Sequence, residues 1–292
     1  MQPISKSRLW VEGARPKTIP AAVVPVLVGT VSIGTGFIFY RFLLALVVSI
    51  ALQVGVNYAN DYSDGIRGTD KDRVGPRRLV GSQLIQPEKV KLAAGLSFLL
   101  AAIAGLILAV AVSLWLIAIG CLAIIAAWFY TGGSKPYGYY GYGEISVFIF
   151  FGLIATVGSA FLQAERIEIA SILCSIPVGF LATALLVTNN LRDIETDSKT
   201  GKQTLAVRLG KSGTQKLYIF LLFGALVINV LIACLYAYWA LIVLLALPLT
   251  LKLTYDVYFK LESTNLIKVL ENTAKLHLLS GLLLSIGLIL SL

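Results

Sequence analysis

Two acidic clusters carry the chemistry that this sequence offers. Four of the 15 acidic residues, Asp61, Asp64, Asp70 and Asp72, crowd into residues 60–72, directly after Asn57 and Asn60. Three more, Asp193, Glu195 and Asp197, follow Asn189 and Asn190. Each cluster trails an apolar run. If helix continues for a turn or two past those runs, Asn57, Asp61 and Asp64 share one face at i, i+4 and i+7. Asn189, Asp193 and Asp197 do the same at i, i+4 and i+8. Carboxylates stacked on one helical face repel one another unless cations neutralise them. Hard divalent cations take oxygen ligands, and Mg²⁺ in particular keeps several waters and shares phosphate oxygens with a substrate. Two such clusters flanking a cavity would hold Mg²⁺ that bridges a bound diphosphate.

Bases are interleaved with these acids. Arg67, Lys71, Arg73, Arg77 and Arg78 accompany the first cluster, and Arg192, Lys199, Lys202 and Arg208 surround the second. Lys135 is alone in its loop, and no other Lys or Arg lies between 92 and 165. Acids for a metal beside bases for phosphate oxygens are what binding and ionising a diphosphate require. Taken singly, each base has a blander use against solvent or anionic lipid headgroups. Asn57 precedes Asp61, and Asn189 precedes Asp193, by the same four residues. That echo suggests a weak internal duplication, helices one to four and five to eight, within a single domain spanning 1–292.

The elements that must position these residues are membrane helices. The chain has 292 residues, 58% hydrophobic and only 13% charged, with a mean hydropathy of +0.85. Soluble domains average about 45–50% apolar and about 25% charged, so this is an integral membrane protein. Disorder, collagen and a disulfide scaffold are excluded by the same composition. A β-barrel is disfavoured because the apolar runs do not alternate. Those runs predict nine helices, at 19–40, 42–58, 92–112, 114–130, 145–163, 170–187, 217–236, 238–253 and 274–292. The fourth is the shortest, and the eighth has the character of a tilted or re-entrant segment.

Of the 24 Lys and Arg residues, 22 fall on the side of the long polar connections; only Arg41 and Arg166 fall on the other. By the positive-inside rule the long loops and the N-terminus are cytoplasmic and the C-terminus lies outside. The basic start lacks a cleavage site at signal-peptide distance, so no cleavable signal is expected. The net charge of +9 comes without the aromatic and basic stripe of nucleic-acid binders, and no nucleic-acid partner is expected. Cys121, Cys174 and Cys234 lie in apolar runs and read as packing residues. The single histidine, His277, reads as structural, and the four tryptophans near helix ends as interfacial anchors.

At its acidic clusters the sequence resembles the UbiA superfamily of intramembrane aromatic prenyltransferases, which has nine helices and Asp-rich motifs after the second and sixth. Asn60, Asp61 and Asp64 match the first motif, N-D-x-x-D. Position 68 is Gly and the next acid is Asp70, followed by Asp72-Arg73-Val74-Gly75-Pro76. This is the form of the menaquinone branch. Asp193 and Asp197 match the second motif, and 189–210, Ala14-Arg15-Pro16-Lys17-Thr18 and Lys135-Pro136-Tyr137-Gly138 also look like that branch. The resemblance implies an all-α fold around a central cavity at a prokaryotic plasma membrane, with the site facing the cytoplasm. It implies transfer from polyprenyl diphosphate to 1,4-dihydroxy-2-naphthoate, with Mg²⁺ as cofactor and membrane lipid as surroundings.

Under this resemblance Asp61, Asp64, Asp193 and Asp197 are catalytic and bind metal, joined by Asp70 as a ligand and by Lys135 at the departing diphosphate. Asn57, Asn60, Arg67, Arg73, Arg77, Asn189, Asn190, Lys202, Arg15 and Tyr130 would contact the diphosphate or the aromatic acceptor. The alternatives are a UbiA-type enzyme for another acceptor, such as 4-hydroxybenzoate or homogentisate, and a secondary transporter. Against a transporter stand the positions of the acids at helix ends rather than mid-membrane.

Overall fold

The computed structural model describes residues 5–34, 36–69 and 77–292, and among these the regular elements are all helices, with no strand. Asp70 and Arg73 therefore lie outside the described residues. Eleven α-helices follow in order: α1 (Lys6–Ala14), α2 (Pro20–Val31), α3 (Phe39–Arg67), α4 (Pro87–Ala111), α5 (Leu116–Phe129), α6 (Gly143–Val147), α7 (Ala155–Ala164), α8 (Ile169–Lys199), α9 (Leu205–Leu235), α10 (Leu247–Phe259) and α11 (Ser263–Leu290). A π-helical stretch, Phe148–Ile154, joins α6 to α7 without a break, and 3-10 turns, Tyr238–Ala246, lead into α10.

By length and composition, seven of these helical stretches suffice to cross a membrane: α3, α4, α6–α7, α8, α9, the stretch ending in α10, and α11. Two shorter apolar helices, α2 and α5, stand where the first and fourth spans are expected. The first is much shorter than 19–40. It stops at Val31, and among the described residues that follow, 32–34 and 36–38 are not helical. The eighth does begin irregularly, in 3-10 turns, and then runs on to Phe259.

Packing is arranged for a solvent of lipid. Along α4, Leu92, Leu96, Leu99, Ile103, Leu106 and Val110 are exposed, an apolar stripe at helical spacing. The buried set instead includes Asn57, Asp61, Asp64, Arg192, Asp193 and Lys202. The α3–α4 and α8–α9 pairs form the most extensive contacts, while α11 lies against α2 and α8. At the 164–168 turn Arg41 Nη1 lies 2.8 Å from Glu165 Oε1 and also donates to the Leu162 carbonyl. This ties the start of α3 to the end of α7.

Two local features place the site. α3 and α8 both continue past their apolar stretches, as the acid spacing requires, to Arg67 and Lys199. Gly68 then ends α3 in the left-handed region (φ 72°), and its N–H caps the carbonyls of Asp64 and Gly65. The π segment lies so close to α8 that a Cβ on Gly152 would sit 2.6 Å from the Gly179 Cα. Glycine at both positions lets these two walls of the cavity touch.

Candidate active site

Between the helices lies a cavity of about 900 Å³. Asn57, Asn60, Asp61 and Asp64 from α3 line it together with Asn189, Asn190, Asp193 and Asp197 from α8. The acids that share a helical face in each cluster, Asp61 and Asp64 with Asp193 and Asp197, thus line one space, while Glu195 lies outside it. Arg15, Arg77, Tyr130 and Lys202 also line it. So do Ala123 and Ala127 of α5, Phe150, Phe151 and Ile154 of the π segment, and Ala182 and Leu185 of α8. One cavity therefore offers a charged lining and an apolar one.

The carboxylates are engaged with the protein. Asp61 accepts the N–H groups of Leu79 (2.9 Å) and Val80 (3.0 Å), one on each oxygen, anchoring the segment that carries Arg77 and Arg78. Asp64 accepts the Tyr139 hydroxyl on one oxygen and lies 3.1 Å from Lys202 Nζ on the other. Lys202 is also 4.0 Å from Asp197. Arg192 chelates Asp193 through Nε and Nη2, both at 2.7 Å, and donates to Asn189 Oδ1 at 2.8 Å. The asparagines are held too. Asn57 donates to the Ala14 carbonyl (2.9 Å), Asn60 accepts from the Thr131 hydroxyl (2.7 Å), and Asn190 donates to Glu144 (2.9 Å).

Tyr139 links the two clusters. Its hydroxyl bonds Asp64 and its carbonyl accepts the Gln203 N–H at 2.8 Å. Its ring lies 4.6 Å from Lys202 Nζ and 5.4 Å from the Arg67 guanidinium carbon, within cation–π range. Burial, reinforced by the Asp64 charge, raises the Tyr139 phenol above its ordinary pKa. Sequence reasoning missed this residue, although it stands two positions after Tyr137 in a loop already singled out. Nothing in its spacing marks it. Glu144 was missed as well, whereas Arg78, named among the bases of the first cluster, does line the cavity.

Two expected contacts are not brought to the cavity. Arg67 is turned toward the 131–133 loop, donating to the carbonyls of Thr131 and Gly133, and is absent from the lining. It sits on the last turn of α3, where a long side chain meets the neighbouring loop. Lys135 is exposed and also outside the lining. The buried Pro136 next to it holds the turn at the protein and leaves the lysine outward. His277 is buried in α11, away from the lining.

The donor set suits a hard cation, since every acid and amide named here offers oxygen. Among the described residues no three acidic, His or Cys side chains converge as a ready-made metal site. That is compatible with Mg²⁺, which takes one or two carboxylates and completes its shell with water and phosphate oxygens.

These features define a multi-pass helical membrane protein with an acid- and base-lined chamber. Residues 22–279 match the UbiA prenyltransferase family, and the chain belongs to that family. It is 49% identical over 266 residues to the 1,4-dihydroxy-2-naphthoate octaprenyltransferase of Mycobacterium tuberculosis, covering 90% of this chain and 91% of that one. It is 40% identical to the enzyme of the same name from Escherichia coli, over 99% and 98% of the two chains. The fold is similar to that of a UbiA homolog from Archaeoglobus fulgidus bound to DMAPP and Mg²⁺ (TM-score 0.68, 15% identity, 95% of this chain and 99% of that one). It is equally similar to the apo structure of a UbiA homolog from Aeropyrum pernix (TM-score 0.69, 13% identity, 98% and 99%).

Proposed function

We propose that this protein transfers a polyprenyl group from polyprenyl diphosphate to 1,4-dihydroxy-2-naphthoate, releasing diphosphate and CO₂. The observation that carries this reading is the single cavity in which two acid clusters meet basic side chains and an apolar wall. The names of the mycobacterial and Escherichia coli relatives support the choice of acceptor.

Asp61, Asp64, Asp193 and Asp197 would hold Mg²⁺, which supplies positive charge to the leaving diphosphate when bound. Lys202, Arg15 and Arg77 bind the remaining phosphate oxygens. Lys202 then exchanges its Asp64 contact for substrate, so the charge is already in place when the allylic C–O bond breaks. Phe150, Phe151, Ile154 and Leu185 receive the prenyl chain and keep water from the electrophilic carbon. The new C–C bond forms at the ring carbon that loses CO₂. Nine crossings place the acid-bearing helix ends and the N-terminus in the cytoplasm and the C-terminus outside, at the inner membrane of a bacterium.

The test supplies purified protein with carboxyl-labelled 1,4-dihydroxy-2-naphthoate, polyprenyl diphosphate and Mg²⁺. Labelled CO₂ should appear in step with prenylated product. Prenylation of 4-hydroxybenzoate without turnover of the naphthoate would overturn the reading in favour of another acceptor.

A further inference from the structure

Glu144 is a carboxylate that belongs to neither acidic cluster. It lies at the start of α6, is 5% exposed, and is not part of the cavity lining. Burying a carboxylate is costly unless it is hydrogen-bonded. Its side-chain partner is Asn190, whose Nδ2 donates to Glu144 Oε1 at 2.9 Å. Asn190 does line the cavity.

A side-chain amide places its donor nitrogen and acceptor oxygen on different sides of one carbon. One N–H committed to Glu144 fixes the plane of the amide; a second N–H and the oxygen remain, and the oxygen is the only acceptor between them. Asn57 is arranged alike from the facing helix, its Nδ2 committed to the Ala14 carbonyl. A neutral carbonyl oxygen needs a donor. A diphosphate ionised at neutral pH presents no donor, and neither does a carboxylate. Of the two proposed substrates only the dihydroxy aromatic carries O–H groups.

We infer that Glu144 is a positioning residue that fixes the Asn190 amide so that its oxygen accepts a hydroxyl proton of the aromatic acceptor. This rests on the transferase reading above. The competing ligand for the same oxygen is the divalent cation, and the experiment separates the two.

The variants are Glu144→Leu, Glu144→Gln and Asn190→Ala. The probes are 1-hydroxy-2-naphthoate and 4-hydroxy-2-naphthoate, each lacking one hydroxyl, measured as inhibitors competing with the natural acceptor. In the wild type, losing the contacted hydroxyl should weaken inhibition about tenfold, the scale of one hydrogen bond. In Glu144→Leu and Asn190→Ala that penalty should vanish. The KM for the acceptor should rise about tenfold, while the KM for prenyl diphosphate and the Mg²⁺ requirement stay within about twofold. Glu144→Gln keeps an acceptor oxygen and should recover part of the loss.

An unchanged hydroxyl penalty in the variants would overturn the inference, as would a shift in the prenyl diphosphate or Mg²⁺ dependence instead. If Glu144→Leu fails to fold, Asn190→Ala and Glu144→Gln decide the matter. Wild-type protein that prenylates no hydroxynaphthoate would refute the transferase reading itself, a different result from any of these.

Discussion

Lys202, in the loop after α8, lies 3.1 Å from Asp64 at the end of α3, so a base from the second cluster neutralises an acid of the first. Both side chains are nearly buried, at 10% and 6% exposure. The pair joins the two halves of the site before any ligand arrives, and its ammonium is positioned to pass to an incoming phosphate oxygen. Lys202→Met should lower turnover about 10²-fold at saturating substrates, the scale for losing one preorganised charge-stabilising group. Lys202→Arg should recover only part, since guanidinium and ammonium present donors differently. A Met variant with wild-type turnover would remove Lys202 from the site.

Asp61 carries a structural load beside its proposed role as a ligand. It is 1% exposed and receives two backbone N–H groups from Leu79 and Val80. Bonds to charged acceptors are each worth about 1.5–3 kcal/mol. Asp61→Ala should therefore destabilise by about 3 kcal/mol or more and open the 77–85 segment to protease, besides abolishing transfer. Asp61→Asn retains one acceptor oxygen and should fall between. Thermal unfolding in detergent with timed proteolysis measures both effects; identical cleavage of Asp61→Ala and wild type would refute the anchoring role.

Tyr139 should make stability sensitive to alkali. Burial and the Asp64 charge raise its folded-state pKa, so the native protein keeps this proton at pH values where the unfolded chain releases it. Stability from this group is level below the ordinary tyrosine value of about 10 and falls as pH rises past it. Tyr139→Phe removes that dependence, at the cost of the bond to Asp64 at neutral pH. The check is the difference in unfolding midpoint between wild type and Tyr139→Phe from about pH 8 to pH 11, which should narrow as pH rises. Parallel curves would rule it out.

Metal removal tests the donor set directly. Chelation with EDTA should abolish transfer and added Mg²⁺ should restore it, because the oxygen donors share the ion with phosphate. Undiminished activity in EDTA would sink the metal assignment.

Helical periodicity is local, and what depends on it was legible in the sequence. Asn57, Asp61 and Asp64, and then Asn189, Asp193 and Asp197, reach one cavity because α3 and α8 hold their 3.6-residue period past the apolar stretches. The Lys202–Asp64 pair, the Tyr139 strut and the Glu144–Asn190 bond join residues 46 to 138 positions apart, and no spacing rule reports such contacts. Arg67 shows the complementary failure. Its place among the acids suggested a phosphate contact, but position on the last helical turn gave it loop carbonyls to bond. The short α2 shows how length misleads, because an apolar run can continue in sequence while its helix stops at Val31.

Lys135 provides the sharpest contrast between sequence and structure. As the only cation between 92 and 165, it was expected at the departing diphosphate, where losing it would slow turnover about 10²-fold. The structure leaves it exposed, outside the cavity lining, on a turn pinned by the buried Pro136. Arg15, Arg77 and Lys202 supply cations to the cavity from other segments. An exposed lysine contributes to binding mainly through long-range attraction, which salt screens. Lys135→Met should therefore leave turnover within about twofold of wild type at about 0.15 M salt, with its largest effect on the KM for prenyl diphosphate at low ionic strength. A drop of about 10²-fold at saturating prenyl diphosphate would mean that the 131–142 loop closes over bound substrate and carries Lys135 into the cavity.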